Sequence, residues 1–373
     1  MPWPLQVVAL LPITNAVQWD AAWRRIVPKV EKTWSEASIL RDVAPEAVNA
    51  VTLETLDAHV KSGGFLSARR GAPCADYGWE TESFQMRSGT TKALENKGTL
   101  ILNGVAETVP ECARCALAAL DAFEAPCSIN CYATGPHAAV AAPPHADAQG
   151  VLVLQTCGSQ RWRVWDARPF RASELNSKLT AGKGSALTLG EPHLDVVLKE
   201  GDALYAPAGW PHATSTLEDQ SVHLTLGLDH AIFGLDRFSL ARALAARDNS
   251  ERLEVADAVA LPFWAPINVG ATLQYLERND AVARDVAVAF AAHAYRIVEA
   301  QARLYEACTA DTSPAAWRDR WRLWADESCR YVMAHNQFIA GDPYVMEDLD
   351  PEMAAQNDLF SQRELQKQGY SMS

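Results

Sequence analysis

Two apolar segments, each opening onto side chains able to bind a metal, constrain this chain more than any other feature. The first is Pro143 to Trp165, PPHADAQGVLVLQTCGSQRWRVW, and the second is Gly201 to Leu226, GDALYAPAGWPHATSTLEDQSVHLTL. Short apolar runs bounded by Gly and Pro predict strands over Val151–Gln155, Ala203–Ala206 and Val222–Leu228. Side chains two apart on a strand share a face, so His145 and Asp147 can reach one ion together. His212 follows a Pro-Ala-Gly-Trp-Pro turn and would arrive from a distant strand as the third ligand. Two imidazoles and one carboxylate on one face of an octahedron, with the opposite positions open, suit a non-haem Fe(II) oxygenase centre.

These segments have company along the chain. GTLILNGV from Gly98, a helical stretch, SINCY, PPHAD, VLVLQ, RWRVW, GDALYAPAGWPH and HLTLG, ending at Leu228, follow one another in that order. In this they resemble the JmjC/cupin oxygenases of the ribosomal-oxygenase type. The resemblance implies a mainly β core with flanking α-helices, α+β overall. That core would be a double-stranded β-helix, a cupin-like barrel related to the jelly rolls. It also implies hydroxylation coupled to oxidative decarboxylation of 2-oxoglutarate at Fe(II), on a protein side chain or a small molecule. His145, Asp147 and His212 match the family's catalytic metal triad, and Asn130 and Tyr132 match its N-x-Y pocket strand. Gln160, Tyr132 or Thr225 would meet the far carboxylate of 2-oxoglutarate.

Two positions depart from the family pattern. Gln160 stands where a Lys or Arg is usual, and Gly227 where a serine often ends the strand. A neutral amide lacks the charge assistance that roughly doubles the strength of a hydrogen bond to a carboxylate. Arg161 and Arg163 do not replace it, because alternation turns both outward if Gln160 faces the pocket; Lys178 or Lys183, in the long connection over 166–199, would replace it by reaching the pocket floor. A second reading therefore stays open: a cupin metalloprotein that does not use 2-oxoglutarate, either another metal enzyme or a noncatalytic binding protein.

A formal net charge of −13 lacks the basic footprint of a nonspecific nucleic-acid binder. The eight cysteines show no regular disulfide framework, which suits a reducing, intracellular setting, cytoplasmic or nuclear. Cys112-Ala-Arg-Cys115 has the spacing of half a zinc knuckle without a second half, so buried helix thiols are expected. No stretch reaches the roughly 18 apolar residues of a membrane span, and no basic segment precedes the apolar N-terminal run, so a soluble protein is expected.

Three units are expected: a partly helical flanking region over 1–95, the barrel over 96–235, and a helical region over 236–373. In the first, Trp19, Trp23, Ile26 and Val30 recur at helical spacing, with Pro28 set to bend or end the helix. Gly71 to Thr91, which contains Trp79, Phe84 and Arg87, reads as a surface connection, with a wall of the pocket as the alternative. In the barrel, Pro110–Phe123 is a helix opened by proline, Ala133–Pro144 a loop, and Gly158 a turn between two strands. His193-Leu194-Asp195 repeats the H-x-D pattern inside an expected loop, where no pleat fixes both side chains on one face. His223 reads as a hydrogen-bonded core histidine. In the last unit, Trp317, Trp321, Trp324, Ser328, Tyr331, His335 and Phe338 form a stripe that suits a core or a dimer seam; the resemblance implies a homodimer.

Overall fold

Alternate residues of the strand Ser221–Leu228 go to different compartments, and the architecture follows from that split. Val222, Leu224, Leu226 and Leu228 join a core shared with helices. Ser221, His223, Thr225 and Gly227 face the opposite way. The computed structural model describes residues 18–33, 36–64, 66–72, 80–85, 94, 98–147, 149–166, 189–229, 233, 281–311 and 313–339. The helices in chain order are α1 (Trp19–Val30), α2 (Leu53–Lys61), α3 (Pro110–Phe123), α4 (Ala281–Ala310) and α5 (Pro314–Ile339). The strands are β1 (Ser38–Leu40), β2 (Ser67–Ala72), β3 (Glu80–Gln85), β4 (Thr99–Leu102), β5 (Cys127–Thr134), β6 (Ala142–His145), β7 (Gly150–Val164), β8 (Leu194–Lys199), β9 (Ala203–Ala206), β10 (His212–Ser215) and β11 (Ser221–Leu228).

The strands make two antiparallel layers that share β7. The larger layer runs β1-β9-β7-β11-β5-β4-β2-β3, and the smaller holds β6, β10, the second half of β7, and β8. Residues of β7 up to Gly158 pair with β11, whereas Ser159 to Val164 pair with β8. Gly158 therefore does not end a strand, as the sequence suggested; it bends one continuous strand from the first layer into the second. Only glycine suits this bend: its φ is +66°, and a Cβ there would lie 1.8 Å from the Gln220 carbonyl oxygen. The two layers enclose Val151, Val153, Leu204 and Ala206 against Trp162, Val164 and Leu198. The result is the expected double-stranded β-helix, with helices on its outer face.

Those helices cover the apolar side of the larger layer. Trp19, Trp23, Ile26 and Val30 are buried on α1, which runs through Pro28 and stops two residues later. The Trp23 indole donates to the Cys115 carbonyl at 3.1 Å, locking α1 onto α3. Helix α4 docks through Tyr305, whose hydroxyl donates to the Cys127 carbonyl at 2.8 Å, and through Gln301, which accepts from the Cys127 amide at 3.0 Å. On α5, Trp317 is buried and Trp324 packs against the same core, which is the core use foreseen for the aromatic stripe. The side chains of His335 and Phe338 lie outside the described residues, as do Lys178, Lys183 and the polar tail from 342.

Two stretches are more ordered than their sequence suggested. The segment read as a surface connection contributes the β2–β3 hairpin to the sheet; Trp79 and Arg87 lie outside the described residues. The loop expected over 133–144 is shorter, because β5 extends to Thr134 and β6 begins at Ala142 despite Pro143 and Pro144. Proline is tolerated there because β6 is an edge strand, paired only with β10.

Candidate metal centre

His145 closes β6, and His212 opens β10 directly opposite it in the antiparallel register. Their rings lie 4.3 Å apart between centroids. Asp147 follows just past the end of β6, and its Oδ2 is 3.5 Å from His212 Nε2. One ligand atom from each of the three lies within 4.8 Å of the others, and among the described residues this is the only such group of three. A transition metal with bonds near 2 Å to nitrogen and oxygen fits between atoms at this spacing.

Backbone carbonyls set the chemistry of both imidazoles. His145 Nδ1 is 2.8 Å from the Pro143 carbonyl, and His212 Nδ1 is 3.1 Å from that of Trp210. A carbonyl only accepts, so each Nδ1 carries the proton and each Nε2 is left with a lone pair. The prolines before His145 and the Pro-Ala-Gly-Trp-Pro turn before His212 are thus parts of the ligand geometry. That turn is tied down twice. The Gly209 amide donates to the Asp147 carbonyl at 2.8 Å, and the Trp165 amide donates to the Pro211 carbonyl at 2.9 Å.

Below the triad the barrel interior changes character. Trp162 lies beside His212, with ring centroids 5.9 Å apart, and beside His223 at 5.5 Å. His223 stacks on Tyr132 at 5.1 Å with planes only 9° apart. Asn130 hydrogen-bonds Tyr132 and accepts from the Gly104 amide at 2.9 Å. Burial drives the Tyr132 hydroxyl well above its usual pKa, with the Asp147 charge adding to the shift. Thr225 pairs across the sheet with Asn130 and Val153. At the floor, the Gln155 amide donates to Ser221 Oγ at 2.9 Å, and Ser221 donates to Gln160 Oε1 at 2.9 Å. Among the described residues, three uncharged side chains, bonded in series, close this end.

The departures at 160 and 227 acquire physical reasons here. Gln160 is buried and turned inward, while Arg161 points out and is paired with Asp195 at 2.5–2.6 Å. Arg163 lies over the Trp165 ring, so neither arginine supplies the missing cation. A Cβ at Gly227 would meet the Gln149 amide nitrogen at 1.9 Å, so that side chain fills the room a serine would use.

The second H-x-D motif takes no part. Asp195 lies on β8 rather than in a loop and is held by Arg161, while the His193 ring sits edge-on to Trp210 at 5.2 Å. His223 is buried as expected but is not satisfied: its Nδ1 has no hydrogen-bond partner. Burial lowers its pKa to about 3, so the ring is neutral near pH 7. Cys112 and Cys115 are buried free thiols on α3, as foreseen, and Cys127 and Cys131 on β5 are buried free thiols as well; burial raises the pKa of all four. Residue-by-residue reading passed over Trp162 as a pocket residue, although alternation from Gln160 through Trp162 to Val164 already placed it on the inner face.

Fold and triad define a class, the double-stranded β-helices with a two-histidine, one-carboxylate centre. Within it the match is to the JmjC domain, whose family model covers residues 110–233. The bifunctional lysine-specific demethylase and histidyl-hydroxylase NO66 of Drosophila persimilis is 38% identical over 98 residues, covering 26% of this chain and 13% of that protein. Ribosomal oxygenase 1 of Gallus gallus is likewise 38% identical over 98 residues, covering 26% of this chain and 16% of that protein. The chain thus matches only a small part of these relatives' length. Among solved structures, Escherichia coli ycfD aligns over 71% of each chain at 18% identity and a TM-score of 0.43. The structure of the ribosomal oxygenase YcfD in complex with cobalt and 2-oxoglutarate aligns over 72% of this chain and 70% of that one, at 15% identity and a TM-score of 0.41. No described helix is long and apolar enough to cross a membrane.

Proposed function

We propose that this chain is an Fe(II)- and 2-oxoglutarate-dependent oxygenase that hydroxylates a protein side chain or a small molecule. The observation that carries the reading is the convergence of His145, Asp147 and His212, with the Nδ1 of each imidazole held against a backbone carbonyl. The donor set suits Fe(II): two neutral nitrogens and one carboxylate leave half of an octahedron for cosubstrate and dioxygen. When bound, the metal and keto acid supply the oxidising chemistry. The chain's own residues hold and orient. His145, Asp147 and His212 fix the ion, Asn130 and Tyr132 wall the pocket, and Gln160 and Thr225 face the cosubstrate's far end. The apolar barrel wall of Val151, Val153 and Leu204 keeps bulk water away.

The names of the relatives, a histidyl-hydroxylase and a ribosomal oxygenase, support a protein side chain as substrate. The net charge of −13 suits a basic protein partner. On the same footing, residues 96–235 form the catalytic unit, flanked by 1–95 and by a helical 236–373 that mediates a homodimer. The test is anaerobic titration with Fe(II) and then 2-oxoglutarate, followed by succinate release in air. Binding at millimolar concentration or better, and release abolished by His212→Ala, are expected. No binding of 2-oxoglutarate by the metal-loaded chain refutes the proposal.

One observation favours a second reading, a cupin metalloprotein without 2-oxoglutarate: the uncharged floor of Gln155, Ser221 and Gln160. Metal binding with no uptake of the keto acid is the outcome it requires.

A further inference from the structure

A buried polar atom without a partner loses roughly 1–3 kcal/mol of hydration, so native proteins keep few of them. Two such atoms belong to neighbouring rings inside this barrel, Trp162 Nε1 and His223 Nδ1. Both residues are more than nine-tenths buried, at 4% and 3% exposure. Their rings touch at 5.5 Å, and Trp162 also touches the ring of His212, so the pair sits next to the triad. An indole nitrogen can only donate, and a neutral imidazole places its single proton on whichever nitrogen finds an acceptor. Gln160, two residues before Trp162 on the same strand face, has its Oε1 engaged by Ser221, so its inward polar end is the NH2 group. Among the described residues the interior beside the triad therefore offers Trp162 Nε1 and the Gln160 amide as donors, His223 Nδ1 as a nitrogen able to donate, and Gln155 Oε1 as the unpartnered acceptor at the floor; the donors call for a ligand with an acceptor-rich end.

We propose that Trp162 and His223, together with Gln160, hold the far carboxylate of a metal-chelating 2-oxo diacid through uncharged donors. This rests on the oxygenase reading above and names the residues that replace the family's cation. Recognition of this kind is graded. Each donor to a carboxylate contributes, and no single one dominates as a lysine or arginine fork would. The anchor distinguishes a five-carbon diacid from the five-carbon monoacid 2-oxopentanoate, which chelates the metal alike but carries no distal acceptor.

The experiment is anaerobic calorimetric titration of the Mn(II)-loaded full chain with 2-oxoglutarate and, separately, with 2-oxopentanoate. The unmodified chain is expected to prefer 2-oxoglutarate at least tenfold. Trp162→Phe keeps the ring and deletes the N–H, and should weaken 2-oxoglutarate by roughly ten- to a hundredfold, the usual loss for a hydrogen bond to a charged group. Affinity for 2-oxopentanoate and for Mn(II) should stay within about threefold. His223→Phe should do the same, and His223→Gln, which keeps a donor, should recover part of the loss. An unmodified chain that does not discriminate between the two acids overturns the anchor, whatever the variants do. So does equal weakening of both acids in the variants, which marks a packing defect. Binding of Mn(II) with neither acid overturns the oxygenase reading and this inference together, and is told apart from the other failures by the unmodified chain alone.

Discussion

The chain carries the H-x-D pattern twice, and the two copies end in different circumstances. His145 and Asp147 stand at the end of an edge strand whose partner brings His212 into register with His145. Asp195 instead lies on the outer face of β8 in an exposed pair with Arg161, and His193 rests against Trp210. A spacing of two supplies only the first pair of ligands. The third must come from across a sheet, and of the two copies the first has a strand opposite it that begins with histidine. A third aspartate completes the picture: Asp229, past the end of β11, is buried with one carboxylate oxygen lacking any partner. Three acids near one barrel are thus converged with two histidines, ion-paired in solvent, or buried without a charged partner among the residues that shift its pKa.

Removing Asp147 should break the contrast most sharply. Asp147→Ala is expected to lower Fe(II) or Mn(II) affinity by more than the roughly 10- to 100-fold that outer partners cost, read by anaerobic metal titration. Retention of near-native affinity would show that the convergence is incidental. Gly158→Ala attacks the bend that brings the two layers face to face. Its left-handed backbone alone costs about 1–3 kcal/mol, and displacement of the Gln220 carbonyl adds to that. A marked fall in melting temperature, with metal binding impaired at temperatures where the unmodified chain binds, is expected.

Asp229 tests the buried acid through pH. Burial raises its pKa from 3.8 to about 7, against a hydrogen bond from Ser128 that lowers it. The folded state therefore holds this proton more tightly than the unfolded chain does. The stabilisation is complete below about pH 4 and is lost as pH rises to about 7. Asp229→Asn cannot ionise, so between pH 5 and 8 its melting temperature should fall less than that of the unmodified protein. Parallel curves would place the carboxylate in contact with water. The smallest effect belongs to the second motif: Asp195→Ala should leave metal affinity unchanged and cost about 0–1 kcal/mol of stability, the usual worth of an exposed ion pair. A metal-affinity loss in this variant would reopen its candidacy.

Much of this was legible before any coordinates. Strand alternation and the run of motifs from Gly98 to Leu228 identified the barrel, because periodicity two is imposed by the pleat itself. Pro110 announced its helix through local chemistry, and the same kind of chemistry starts two others: Thr52 and Thr55 form a capping box, and the Ala316 amide donates to Ser313. The β2–β3 hairpin escaped notice because SARRGA has no apolar alternation; its place is set by pairing with β4. The role of Gly158 escaped too, since a glycine between two apolar runs reads alike as a hairpin turn or as a bend.

The amino-acid sequence alone therefore determined which groups could ligate and that the spacing of His145 and Asp147 lets them reach one ion. It also determined that Gln160 brings no charge to its position, a matter of side-chain chemistry rather than geometry. Tertiary structure decided which H-x-D copy gains a third ligand, which arginines face solvent, and that Trp162 and His223 stand unpartnered beside the triad. The physical reason is that ligation and hydrogen bonding require atoms within about 3 Å, and the approach of residues 50 or more apart along a chain is set by sheet register, not by local sequence.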